Sequence, residues 1–143
     1  MFIGEYQHTL DAKGRMNIPS KFREKLGAVF YVAKGLDGCL FVFPLDEWGS
    51  IEAKLKQLPI TKGTNRNFAR IFYSGAAECT LDKQGRINIP ANLRKYASLE
   101  KEAVVIGVGT RVEVWDQQRW DAYNDSGELS YNEMAEQMSE LGI

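Results

Sequence analysis

Cysteine is scarce in this chain of 143 residues, which has only Cys39 and Cys79. Two thiols do not make a disulfide framework, and a fold that stands without one suits a reducing cytoplasm. Histidine is scarcer still, with His8 alone. A Ser-His-Asp constellation would have to use it, and nothing around it supports that. No Gly-x-Ser-x-Gly, phosphate-loop or His-Glu-x-x-His pattern occurs. Gly107-Val108-Gly109 misses the third glycine and the βαβ setting of a dinucleotide fingerprint, and reads as a strand turn. Apolar runs fall far short of the roughly 20 residues that cross a bilayer. The start, Met1-Phe2-Ile3-Gly4-Glu5-Tyr6, has neither a basic nor a long apolar stretch, so no secretory signal is expected. These absences set the expectation of no catalytic residue, no metal, no cofactor, no small-molecule substrate and no membrane.

What is present is the composition of a folded domain. The 44% hydrophobic share is too high for wholesale disorder. A chain of this length buries roughly 68% of its unfolded surface, enough for a core without staples. The net charge of −1 argues, taken alone, against a nucleic-acid partner. Its distribution argues otherwise. Residues 1–26 carry a net +2, residues 62–95 a net +5 and residues 112–143 a net −7. Two basic segments and an acidic tail point to charged partners or to contacts between subunits.

The chain repeats itself at an offset of 71. Thr9-Leu10-Asp11-Ala12-Lys13-Gly14-Arg15-Met16-Asn17-Ile18-Pro19 falls on Thr80-Leu81-Asp82-Lys83-Gln84-Gly85-Arg86-Ile87-Asn88-Ile89-Pro90, with eight of eleven positions identical. Arg23 falls on Arg94, and His8 on Cys79. Two copies are too few for a solenoid; they read as half-domains that complete each other's core.

Each half is expected to carry short strands at 6–10 and 15–18 around a turn, or their counterparts. A short helix opens at Pro19 or Pro90, with Phe22 and Leu26, or Leu93 and Ala97, turned inward. Strands follow at 29–34 and 39–43, and at 103–108 and 111–115. Trp48, Ile51, Leu55 and Leu58 mark a helix over 45–58, and Trp120 and Tyr123 one near 116–124. Asn65 is placed to cap a helix that Gly75 ends. Ser130 is placed to cap an amphipathic helix bearing Tyr131, Met134, Met138 and Leu141. The implied division is a first repeat over 1–58, a linker and helix over 59–75, a second repeat over 76–124 and a C-terminal helix over 125–143.

The duplicated Asp-x-x-Gly-Arg is the informative motif. Asp at the first and Gly at the fourth position suit a type I turn, and a Gly there can take positive φ and close the hairpin with the correct twist. Asp11 and Gly14, and Asp82 and Gly85, are therefore turn-forming residues. An Asp11–Arg15 and an Asp82–Arg86 pair that merely close a turn would account for part of the pattern. They would not require a guanidinium at the same place twice. Arg presents a planar fork of donors suited to phosphates and guanine edges, and two forks about a pseudo-two-fold axis suit a polyanion. Lys13 and Lys83 sit at the turn tips.

With these motifs, and with Met1 to Tyr6, Ile18-Pro19 and Ile89-Pro90, the chain closely resembles, over essentially its whole length, the MraZ family of bacterial transcriptional regulators in the AbrB-like swapped-hairpin superfamily. The resemblance implies an α+β fold of two tandem repeats, forming a pseudo-two-fold swapped-hairpin barrel flanked by short helices. It implies a ring-shaped homo-oligomer, an octamer. It also implies repression of the promoter of the family's own division and cell-wall gene cluster, through direct DNA repeats, in the cytoplasm at the nucleoid. Arg15 and Arg86, supported by Lys13 and Lys83, would then make the DNA contacts.

Two other readings stay open. A structural or adaptor ring that binds protein partners would suit the acidic net charge and the amphipathic tail. An enzyme acting on phosphorylated substrates would use the paired Asp and Arg residues, but no nucleophile or base can be named for it. A metal shared by His8 and Cys79 would have two donors and no third.

Overall fold

The computed structural model describes residues 1–127 and 130–142, the side chain of Leu141 excepted. In chain order the elements are β1 (Phe2–Thr9), β2 (Arg15–Asn17), α1 (Ser20–Leu26), β3 (Phe30–Lys34), β4 (Leu40–Pro44), α2 (Leu45–Lys56) and α3 (Gly63–Gly75). They continue as β5 (Ala77–Cys79), β6 (Arg86–Asn88), α4 (Ala91–Tyr96), β7 (Glu102–Gly109), β8 (Arg111–Asp116), α5 (Gln117–Asp125) and α6 (Tyr131–Gln137), with a 3₁₀ turn at Ser139–Leu141.

Six strands form one antiparallel sheet in the order β1-β7-β8-β4-β3-β5. The order is symmetric about the β8–β4 seam, where Phe41 lies opposite Glu113. The strand leading into each turn has left its own repeat: β1 pairs with β7 of the second copy, and β5 with β3 of the first. The strands leaving the two turns, β2 and β6, pair with each other in a separate ribbon, with Met16 opposite Ile87 at its centre. Both are fully buried.

The alternation along the strands explains the layers. One face of the sheet presents Phe30, Val32, Leu40, Val42, Val105, Val112 and Val114 to the ribbon's Met16 and Ile87 and to Phe22 of α1 and Leu93 of α4. The opposite face presents Ala33 and Phe43 to Trp48 of α2 and Phe72 of α3. On its other half it presents Val104, Ile106 and Trp115 to Trp120 of α5. Each Val, Leu, Ile, Phe or Met among them contributes about 1.5–3 kcal/mol on full burial.

Several expectations are corrected. The sheet is not closed into a barrel. β1 and β5 remain its two edges, and the ribbon, only three residue pairs long, lies across the core with no ladder to either edge. β1 begins at Phe2, because it pairs along the whole of β7, and not at residue 6. Pro19 and Pro90 stand just outside their helices, as the residues that precede Ser20 and Ala91. Asn65 does not cap α3. The helix starts earlier, at Gly63, and the Asn65 side chain donates instead to the Pro59 carbonyl at 2.9 Å. Leu58 lies past the end of α2 and is exposed. Ser130 does cap α6, in a capping box with Glu133. The expected stripe position at Leu141 falls on a side chain outside the described set.

Candidate nucleic-acid interface

Each turn is built by its aspartate. Asp11 accepts at Oδ1 from the backbone N–H groups of Lys13 and Arg15, both at 2.9 Å, and at Oδ2 from Arg15 Nε at 2.7 Å. Gly14 N–H closes the turn onto the Asp11 carbonyl at 3.0 Å. The second copy repeats this bond for bond. Asp82 Oδ1 accepts from Gln84 and Arg86 N–H at 2.8 and 2.9 Å, and Oδ2 from Arg86 Nε at 2.8 Å. Gly85 N–H donates to the Asp82 carbonyl at 3.0 Å. Gly14 and Gly85 have φ of 82° and 75°, a region that L side chains rarely adopt.

The Arg15 N–H bond, helped by the guanidinium and by Lys13 N–H, pulls the Asp11 carboxyl down to about 2. The Arg86 N–H bond lowers Asp82 in the same way. The aspartates are thus spent on the turn and on one nitrogen of each guanidinium. Arg86 Nη1 also lies 4.0 Å from Asp11 Oδ2, so the two turns stand side by side.

A second arginine pair locks the turns to each other. Arg94 Nη1 donates to the Lys13 carbonyl at 2.9 Å, across the repeat boundary. Arg23 Nε donates to the Ile18 carbonyl at 2.9 Å, and its guanidinium lies over Gly85. A β-carbon on Gly14 would overlap Arg94 Nη1, and one on Gly85 would overlap Arg23 Cζ. The glycines therefore serve both the backbone turn and the room for the opposite copy's guanidinium. The backbone adds two bonds, Ile18 N–H to the Gly85 carbonyl at 3.1 Å and Ile89 N–H to the Gly14 carbonyl at 3.0 Å.

The ribbon's outer face follows from period two. Met16 and Ile87 point inward, so Arg15, Asn17, Arg86 and Asn88 point outward, with Arg15 opposite Asn88 and Arg86 opposite Asn17. Lys13 and Lys83 are exposed at the tips. Arg15, Arg23, Arg86, Arg94, Lys13 and Lys83 gather around two aspartates, a local excess of positive charge on a chain of net charge −1.

Sequence reasoning assigned no role to Asn17, Asn88, Arg23 or Arg94, although each asparagine and each arginine recurs at the 71-residue offset. Identity between copies was the available signal. Arg66 of α3 does not join the cluster. Arg66 turns back onto the Ile60 and Thr61 carbonyls at 2.9 and 3.0 Å, and closes its own loop. His8 and Cys79 sit on β1 and β5, the two outer strands of the sheet. Among the described residues no group of three His, Cys, Asp or Glu could hold a metal ion. No helix among the described residues is long and apolar enough to cross a membrane.

Two interlocked half-domains, each carrying one copy of the same Asp-turn-Arg device, make this a two-repeat swapped-hairpin protein. Comparison with known proteins gives the family. The family described as "MraZ protein, putative antitoxin-like" matches twice, over residues 1–71 and 72–141. A protein of Alkaliphilus oremlandii named Transcriptional regulator MraZ is 62% identical over 143 residues, covering all of both chains. Proteins of the same name from Alkaliphilus metalliredigens and Syntrophomonas wolfei are 59% and 54% identical, again over the full length of both. The chain belongs to the MraZ family and is a transcriptional regulator, not an enzyme.

Proposed function

We propose that the regulator binds double-stranded DNA at direct repeats in the promoter of its own division and cell-wall gene cluster, and represses that promoter as a ring-shaped octamer on the nucleoid. The observation that carries this reading is the pair of guanidiniums, Arg15 and Arg86, fixed at the two ends of one exposed ribbon by matching aspartate turns. Two-stranded ribbons fit the major groove. There, Arg is suited to guanine and Asn to adenine, so Arg15, Asn17, Arg86 and Asn88 form a reading face. Lys13 and Lys83 at the tips are placed for backbone phosphates.

One ribbon offers few cations and binds weakly. Linked subunits act at high effective concentration, and avidity exceeds single-site affinity by about 10²–10⁴. Direct repeats spaced about one helical turn, roughly 10–10.5 bp, present equivalent grooves on one face of the duplex.

The test is a salt-dependent gel-shift titration of the DNA upstream of the protein's own gene against a scrambled duplex of equal length. The upstream DNA is expected to bind preferentially, with affinity falling steeply as salt rises, because neutralised phosphates release counterions. Arg15→Ala and Arg86→Ala are expected to lose that preference while fold and assembly stay intact. Equal, weak binding to both duplexes would sink the operator reading.

A further inference from the structure

Two apolar surfaces of this chain have no partner among its described residues. One is a cleft of about 480 Å³ between the outer side of β3–β4 and helices α2 and α3, lined by Phe41, Ile51, Leu55, Phe68 and Ile71. Phe68 and Ile71 are 47% and 57% exposed at its mouth, so the two helices only partly cover this side of the sheet. The other surface is α6. Tyr131 and Met134 of α6, and Met138 at its C-terminal cap, are 83%, 46% and 49% exposed, at i, i+3 and i+7. Contiguous exposed apolar surface marks an interaction site. This spacing is the anchor pattern of a helix laid in a groove, and Met adapts to an irregular aromatic lining.

The charges of the two surfaces are complementary. From Ser126 to Ile143 the chain carries four glutamates and no Lys or Arg. The cleft is flanked by Lys34 and Lys54, and among the described residues neither forms a salt bridge. Lys34 is held over the Tyr96 ring instead.

We propose that the cleft is the docking site for α6 of a second copy of this chain. In its own chain α6 is exposed, joined through residues 126–130 to α5, which packs on the β7–β8 half of the sheet and not beside the cleft. Docking of one copy's helix into the next copy's cleft is a head-to-tail contact. It leaves each end of a pair with one free helix or one free cleft, so association continues until a ring closes. The inference deepens the self-association in the proposed function and rests on it. It needs no DNA.

The test is the molar mass of the full chain by light scattering, with circular dichroism confirming that each variant is folded. Met134→Glu with Met138→Glu disables the helix, and Ile71→Glu disables the cleft. Lys54→Glu is a milder, fully surface change to the cleft. Wild type is expected to be a multimer, and each disabled variant a single chain of 16.2 kDa. Mixing the helix-disabled and cleft-disabled chains is expected to give a one-to-one pair, since that mixture contains one intact helix and one intact cleft. A multimer unchanged by all three variants would overturn the docking site while leaving self-association standing. A wild-type chain that is monomeric throughout would overturn both. Variants that dissociate but fail to pair on mixing would show that α6 does not enter the cleft of a second copy. Loss of assembly in the cleft variants alone would assign the cleft to another occupant.

Discussion

Arg94 Nη1 donates to the carbonyl of Lys13 at 2.9 Å, from a helix of the second repeat to the turn tip of the first. The guanidinium occupies the space that the absent side chain of Gly14 leaves open. Arg23 covers Gly85 in the reciprocal place. Neither proposed DNA-reading turn is therefore finished by its own repeat.

Arg94→Ala is expected to loosen the first turn without unfolding the chain. The lost hydrogen bond contributes about 0.5–1.5 kcal/mol. The expected signature is local: faster amide exchange at Lys13 and Gly14, little change at Met16, and weaker operator binding at unchanged molar mass. Arg23→Ala removes the bond to the Ile18 carbonyl and uncovers Gly85, so faster exchange is expected around Ile18 and Gly85. Unchanged exchange at the turns would show that the bond positions nothing.

Gly14→Ala should be worse than Arg94→Ala. It places a β-carbon at a φ of 82° and displaces the Arg94 guanidinium as well. Backbone strain of that kind costs about 1–3 kcal/mol. In the double variant Gly14→Ala with Arg94→Ala, the clash is gone and the strain and the single lost bond to Lys13 remain. Chemical denaturation of the two single variants and the double should therefore show less loss than the sum.

Asp11 makes the first turn sensitive to acid. Its carboxyl is lowered to about 2, chiefly by the Arg15 N–H bond, from an ordinary value of 3.8. A depressed carboxyl contributes its stabilisation fully above the unfolded value and loses it as pH falls through the folded one. The turn should hold above about pH 4 and loosen progressively toward about pH 2, with Asp82 adding in the same direction. Carboxyl-carbon NMR titration should show Asp11 titrating near 2. In Asp11→Asn that titration disappears, and the acid dependence of stability over this window weakens.

Glu113 is the one buried charged residue among those described, at 7% exposure in β8. Arg111 holds it through Nε at 2.9 Å and Nη2 at 2.8 Å, and Trp115 Nε1 donates to it at 3.0 Å. Arg111 also stacks over Phe41 of the opposite repeat, 4.6 Å from the ring centroid. Glu113→Ala would leave the Trp115 N–H and the guanidinium without their acceptor. The expected cost is about 1–3 kcal/mol, measured as a lower denaturation midpoint with the Asp11 and Asp82 turns unchanged.

The two thiols should be inert while the chain is folded. Burial, with Glu113 adding, pushes Cys39 up to about 12, and burial pushes Cys79 up to about 11. The thiolate is the reactive form. A thiol reagent at pH 8 should label neither residue in the native chain and both after denaturation. Rapid native labelling of Cys39 would contradict its full burial in the cluster with Trp115.

Local chemistry was legible along the chain. Asp11 and Gly14, and Asp82 and Gly85, announced two turns, because bonds between a side chain and its own backbone span only a few residues. Phe22 and Leu26, Leu93 and Ala97, and the cap at Ser130 were readable for the same reason; its partner Glu133 emerged only in the fold. The repeat pointed to half-domains that complete each other's core, but residue order alone did not say which partner each strand would choose. β1 answers to β7 and not to the strand after its own turn, and the sheet stays open at β1 and β5, because pairing depends on which apolar faces of the two repeats can be buried together. The same holds for Asn65, drawn to the Pro59 carbonyl, and for Arg23 and Arg94. A periodic pattern shows them as helix-surface cations; the fold turns them onto the other repeat's glycines. Spacing shows which residues can form a turn, and burial of the shared core sets which turns stand side by side.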